Sequence, residues 1–156
     1  MIYIGIDCGD HTGFAVWDSE AYAFTRIETL KIWQALAEAY KINAAHNGKV
    51  KIVFEDARQR KWIPRETSES DYRGKLMGAG SVKRDSKIWE EFCTDNHIPF
   101  EAEPPRPGLT KWNAKYWANV IGWKGRTSEH ARDAALLVWG RKDIRKWAIL
   151  YLCVDG

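Results

Sequence analysis

What the chain has little of narrows it first. Of 156 residues only three are cysteines, Cys8, Cys93 and Cys153. They are odd in number, far apart and without a CxxC pair, which argues against a disulfide framework or a thiolate zinc site and fits a reducing, cytoplasmic compartment. No apolar run approaches the roughly 20 residues that a membrane span needs. The opening MIYIGIDCGD lacks a basic n-region and carries Asp7, so it reads as a strand and not as a signal peptide. Internal repeats and linker-like stretches are missing too, so 1–156 reads as a single domain. Net charge is small, at +3, and by itself selects no partner.

What is present points to a folded α/β unit. Hydrophobic residues make up 45% and aromatics 13%, too many for a disordered chain, while 29% charged residues keep the surface wet. Ile2, Ile4 and Ile6 alternate with Tyr3, Gly5 and Asp7, the period of a strand whose last residue faces away from the isoleucines. CGDHTG supplies a turn, FAVWD a second strand and AYAFTRIETL a third, so the opening predicts an antiparallel meander. KIWQALAEAYKINAAH has helical spacing at Ile32, Trp33, Leu36, Ala39, Tyr40 and Asn43, and Asn47-Gly48 stops it. KVKIVFED is a fourth strand, and a right-handed crossover through the helix sets it parallel to the first, beside it.

From 57 to 73 the polar, mixed-charge sequence reads as a long loop. GKLMGAGSVKRDSKIWEEFCTDN is a second helix, continuous or broken near Gly78 and Gly80, with Ile88, Trp89 and Phe92 as its buried stripe. HIPFEAEPP is a fifth strand, ended by its prolines. SEHARDAALLVWG opens the last helix. The tail KWAILYLCVDG is apolar for about eight residues and suits a strand or a helix, on the core or on a partner subunit. The expected fold is α/β, with a mixed five-stranded sheet of three antiparallel and then parallel strands, flanked by helices.

In that topology Asp7 and Glu55 stand at the carboxyl ends of neighbouring parallel strands, the edge where open α/β sheets place their ligands. His130 and Asp133 are one helical step apart and project together from the last helix. Each has an ordinary alternative: a turn former, a solvated strand end, a surface histidine, an acid favouring the helix dipole. If the first turn of that helix crosses the strand ends, the four make one cluster. Carboxylates with a single imidazole suit Mg²⁺ or Mn²⁺, and two such ions about 4 Å apart support phosphodiester hydrolysis.

Five of these segments carry a family resemblance. YIGIDCGDHTGFAVWD resembles the first motif of the RuvC-like Holliday junction resolvases, KIVFED their second and EHARDAALLVWG their last. GAGSVKRDSKIWEEF and IPFEAEPP are similar to their long helix and the strand after it. The resemblance covers the chain to about Arg141. It implies an RNase H-like fold, a metal-binding catalytic tetrad of Asp7, Glu55, His130 and Asp133, and two Mg²⁺ (or Mn²⁺) per active site. It further implies a homodimer that nicks opposing strands of a four-way DNA junction symmetrically, in recombination or in debranching. Asp10 departs from many relatives and suits either an extra acid or a turn. The segment ARQRKWIPRETSESDYRGK is longer and more charged than expected of bacterial members and points to a phage or other divergent branch.

DNA contact is expected from two basic regions. Beside Glu55 lie Arg58, Arg60, Lys61, Arg65, Arg73 and Lys75, with Trp62 either wedging against bases near the crossover or anchoring the loop to its own core. From 105 to 126 there are five basic residues, among them Lys111, Lys115, Lys124 and Arg126, and no acidic ones. They are interleaved with Trp112, Tyr116, Trp117 and Trp123, which suit either a nucleic-acid surface or core tryptophans under a solvated face. Gly78-Ala79-Gly80 suits close approach of two copies of the second helix or a hinge. The competing expectations are an RNase H-like nuclease acting on other branched or hybrid substrates and a non-catalytic nucleic-acid binding module of the same fold.

Overall fold

The computed structural model describes residues 1–60, 68–105 and 112–142, with the side chains of Glu69 and Lys75 left aside. Five strands form one mixed sheet in the order β3-β2-β1-β4-β5. The alternating opening forms β1 (Ile2–Asp7), which pairs antiparallel with β2 (Thr12–Asp18), and β2 pairs antiparallel with β3 (Ala23–Leu30). Helix α1 (Ile32–Ala45) then crosses over, and β4 (Val50–Glu55) lies parallel to β1 with Ile6 opposite Phe54. Helix α2 (Glu69–Asp95) makes the second crossover, to β5 (Phe100–Glu103), parallel to β4. Helices α3 (Ala114–Ile121) and α4 (Glu129–Val138) complete the described chain. Among the described residues no helix is long and apolar enough to cross a membrane.

The period-two side-chain alternation divides the core between the two faces of the sheet. Ile2, Ile4, Ile6, Phe14, Ile52 and Phe54 pack with Ala35 and Ala39 of α1 and with Trp89 and Cys93 of α2. Tyr3, Ala15, Trp17 and Val53 face the other way, onto Trp117 of α3 and onto Ala131, Ala134, Ala135, Leu137 and Val138 of α4. Asp7 and Glu55 have the parity of this second face.

On that face α4 lies almost in contact with the sheet backbone. A Cβ built on Gly5 would stand 2.0 Å from the carbonyl oxygen of Ala134, and one on Gly13 would stand 1.9 Å from that of His130. Real Cβ atoms do not come so near backbone oxygen, so the two glycines are what permit the approach. The alanines facing them on α4 serve the same end by keeping the helix surface flat.

Several local expectations need correction. Residues 69–73 are the first turns of α2 and not loop, because Ser68 caps the helix by accepting a hydrogen bond from the Asp71 amide; Ala57–Gln59 form a 3-10 turn. Helix α2 runs unbroken through Gly78 and Gly80, and nothing described lies within 4 Å of a Cβ built on either. Its buried stripe includes the polar Asp85 and Ser86 beside Trp89 and Cys93, while Ile88 is only half-buried. On α1 the contact is made by the small Ala35 and Ala39, leaving Trp33 and Tyr40 exposed. Helix α3 is an element that the reading of the basic segment does not contain. It starts at the Asn113 cap and ends where Gly122 adopts the left-handed conformation at φ 74°.

The approach of α4 yields a stability prediction. Gly5→Ala and Gly13→Ala should each cost about 3 kcal/mol or more in urea unfolding, the upper end of overpacking penalties, because the obstacle is backbone. Gly9→Ala, with nothing within 4 Å of the new Cβ, should stay within about 0.5 kcal/mol of the parent. Equal stability of all three variants would contradict the packing described.

Candidate active site

Each acid is delivered by a different element. Asp7 ends β1 on the face that α4 covers, and Glu55 ends β4 one position past the Ile6 and Phe54 pair. The end of β4 is pinned from behind. The buried hydroxyl of Ser86 on α2 lies 3.4 Å from the Glu55 carbonyl oxygen and 3.3 Å from the Ala57 amide nitrogen. The start of α4 is fixed by Ser128, whose hydroxyl accepts from the Ala131 amide at 3.0 Å and also meets the hydroxyl of Thr29 on β3. The turn between β1 and β2 is closed by buried Thr12, which donates to the Gly9 carbonyl at 2.7 Å.

These supports bring the helix side chains to the strand ends. The Nδ1 of His130 lies 2.8 Å from Oδ2 of Asp7. Asp133, one helical step on, is partly buried in the field of the same acids. Its carboxyl is pushed up to about 7, first by burial and then by the negative charges of Asp7, Glu129 and Glu55, with His130 opposing. Burial also raises the Asp7 carboxyl, against the hydrogen bond and charge interaction of His130. The four expected site residues therefore share one electrostatic neighbourhood.

Two further residues belong to it. Glu129 adds charge felt by both Asp7 and Asp133. The His11 ring stacks near that of His130, with centroids 6.5 Å apart and planes at 28°. Sequence reasoning passed over both, although His11 stands four positions after Asp7 in the turn and Glu129 directly precedes His130. Asp10 is exposed at the turn.

The donor set is hard: carboxylate oxygens and one imidazole. Cys8 follows Asp7 but points to the other face, where burial pushes its thiol well above its ordinary range, so no thiolate joins the set. Such a set fits a magnesium-like cation, which would favour the ionised forms of Asp7 and Asp133 that burial, and after it neighbouring negative charge, disfavours. Among the described residues, no three His, Cys, Asp or Glu side chains are grouped closely enough to ligate one ion as they stand.

The basic residues divide. Arg58 is engaged within the protein: its guanidinium makes two bonds to buried Asp56, at 2.8 and 3.0 Å, and reaches Glu90 of α2. It braces the chain after β4 against α2. Arg60, Arg73, Lys115, Lys124 and Arg126 are exposed. Lys61, Trp62, Arg65 and Lys111 lie outside the described residues, as does the side chain of Lys75. The interleaved tryptophans belong to the core and not to an aromatic surface: Trp117 is fully buried, and Trp112 and Trp123 pack against the same cluster, leaving Tyr116 exposed.

Comparison of the chain with protein-family models and with curated proteins finds no match.

The crowded carboxyls have a pH consequence. A carboxyl raised on folding keeps a proton that the unfolded chain has already lost, so stability falls as pH rises from about 4 towards 7, and the penalty persists above that. In chelator-treated protein, Asp133→Asn should raise Tm at pH 8 by about 2–4 °C, equivalent to roughly 1 kcal/mol at this size once solvent screening is allowed for. Near pH 4 the gain should vanish. The same gain at both pH values would contradict the electrostatic account.

Proposed function

We propose that this chain is a metal-dependent endonuclease of the RuvC-like, RNase H-like type, acting on four-way DNA junctions in the cytoplasm of a bacterial or phage-infected cell. The observation that carries the reading is the convergence at one sheet edge. Helix α4 sets His130 against Asp7, and it sets Asp133 within the field of both Asp7 and Glu55. Strand order and direction support it as well, since three antiparallel strands followed by parallel ones put β1 and β4 side by side.

In this reading Asp7, Glu55 and Asp133 hold the cations with His130 completing the set, and each residue has a distinct task. The two strand-end carboxylates sit on rigid elements and fix the site in the sheet. Asp133 and His130 ride on α4, so their positions track the helix. The bond between His130 and Asp7 orients the Asp7 carboxylate and gives the site a group able to hold a proton at Nδ1. Two bound divalent cations would supply Lewis-acid stabilisation of the attacking and leaving oxygens of a phosphodiester. Arg60, Arg73, Lys115, Lys124 and Arg126 would hold strand phosphates, and Trp62 is proposed to wedge near the crossover. A homodimer would present two such sites to the two symmetric strands of an open junction.

The test is cleavage of four substrates with Mg²⁺: four-way junction, flap, duplex and RNA-DNA hybrid. Paired symmetric nicks in the junction are expected, with Asp7→Asn and Glu55→Gln each reducing cutting at least about 100-fold while junction affinity is retained. Preference for another substrate would move the assignment to a different RNase H-like nuclease. Binding without any Mg²⁺-dependent turnover would leave a nucleic-acid binding module.

A further inference from the structure

The turn between β1 and β2 carries one side chain at the acids to which the chemistry above gives no task. CGDHTG, residues 8–13, leads from Asp7 into the neighbouring strand, and His11 is exposed on it. The backbone on either side is held. Buried Thr12 donates to the Gly9 carbonyl at 2.7 Å, and Gly13, paired with Asp7, leaves no room for a Cβ beneath the His130 carbonyl. The His11 ring lies along that of His130, with centroids 6.5 Å apart and planes at 28°, which sets it on the α4 face with the acids. Among the described residues its ring nitrogens meet no hydrogen-bond partner.

This arrangement does not make His11 a ligand beside His130. Imidazole donates and accepts in the plane of its ring, so a cation between two stacked faces would meet no lone pair of either. Nor does His11 complete a ligand group with the acids, since no three such side chains are gathered closely enough among the described residues.

The surroundings give the ring a different use. A phosphodiester brought to Asp7, Glu55 and Asp133 enters a negative neighbourhood, which Glu129 deepens and His130 opposes. No lysine or arginine precedes Arg26, so β1, β2 and the turn between them supply no long cationic side chain. The cations assigned above to strand phosphates come from elsewhere: Arg60 and Arg73 from the chain after β4 and from α2, Lys115, Lys124 and Arg126 from α3 and the segment after it. Within the turn, Thr12 is engaged by Gly9, Cys8 is buried on the other face, and Asp10 can only accept when ionised. His11 is the remaining donor. A neutral imidazole already carries one N–H, and a hydrogen bond from it to an anionic oxygen is stronger than one between neutral groups.

On the reading of the chain as a nuclease, we propose that His11 is a substrate-contacting residue, donating a hydrogen bond to a non-bridging oxygen of the phosphate held at the acids. It fixes the strand from the β1–β2 side, where the chain offers no other donor of comparable reach. The two histidines then divide the work: His130 serves Asp7, and His11, stacked on it, serves the DNA.

Three substitutions separate the donor from the ring. His11→Ala removes both, His11→Phe keeps an aromatic ring without an N–H, and His11→Gln keeps an N–H without the ring. Single-turnover cleavage of the four-way junction with Mg²⁺ should fall about 10- to 100-fold in the Ala and Phe variants, the range for losing a hydrogen bond to a charged group. The Gln variant should recover most of that loss. Manganese affinity without DNA, read by electron paramagnetic resonance, should match the parent in all three and fall in His130→Ala. Cutting by the Phe variant at the parent rate would overturn the proposal, since the ring face alone would then suffice; so would a Gln variant no better than Phe. A loss of manganese affinity in His11→Ala as large as in His130→Ala would overturn it by making His11 a ligand. Should the parent cut no DNA, the nuclease reading fails and junction affinity in Ca²⁺ decides this one. Weaker binding by Ala and Phe than by Gln and the parent would support the contact, and equal affinity or no binding in all four would overturn it.

Discussion

The site depends on how closely one helix lies against one pair of strands. Gly5 and Gly13 present bare backbone to α4, and the carbonyl oxygens of Ala134 and His130 occupy the space where side chains would be. A helix held off by even one methyl group would lift His130 away from Asp7 and Asp133 away from both strand ends. Ordinary packing provides the energy for this contact, through Ala131, Ala134, Ala135 and Val138 against Tyr3, Ala15 and Val53. The glycines decide the distance. Stability and function are therefore coupled at the same surface, in the same few residues.

That closeness works against the carboxylates. Burial at the sheet edge raises the carboxyls of Asp7 and Asp133, and neighbouring negative charge adds to it, most of all at Asp133. A fold selected for stability alone would not gather acids there. Cores that violate a local rule at one place, with strong supports around it, are the usual mark of a functional site. The supports here are specific: Ser86 behind the end of β4, Ser128 and Thr29 at the start of α4, and Arg58 between Asp56 and Glu90. All lie outside the acid cluster and hold its elements in place.

Much of this was legible in the sequence because it derives from periodicity. The alternation in IYIGID assigns Asp7 to the face opposite the isoleucines, and the crossover rule sets Glu55 beside it. The three-residue step from His130 to Asp133 fixes their common direction on a helix. The illegible remainder depends on pairing across the fold. Asp56, two positions before Arg58, is a local partner, but the brace is completed only by Glu90, 32 positions away, which the sequence does not place beside it. The tryptophans of the basic segment suggest a nucleic-acid surface, with the core as the alternative, until α3 turns Trp117 inward. Ser86, a polar residue at a buried position of α2, was not foreseen for the same reason: besides Val82 on its own helix it meets the Glu55 carbonyl and the Ala57 amide at the end of β4.

The central claim is that these four side chains together hold divalent cations, and metal binding tests it apart from any substrate. Titration of chelator-treated protein with Mn²⁺, monitored by electron paramagnetic resonance, should show saturable binding of up to two ions per chain. That binding should be strongly weakened by Asp7→Asn or Asp133→Asn and released by excess Mg²⁺. Manganese binding that is absent, or that is equally strong in the parent and both variants, would contradict the account.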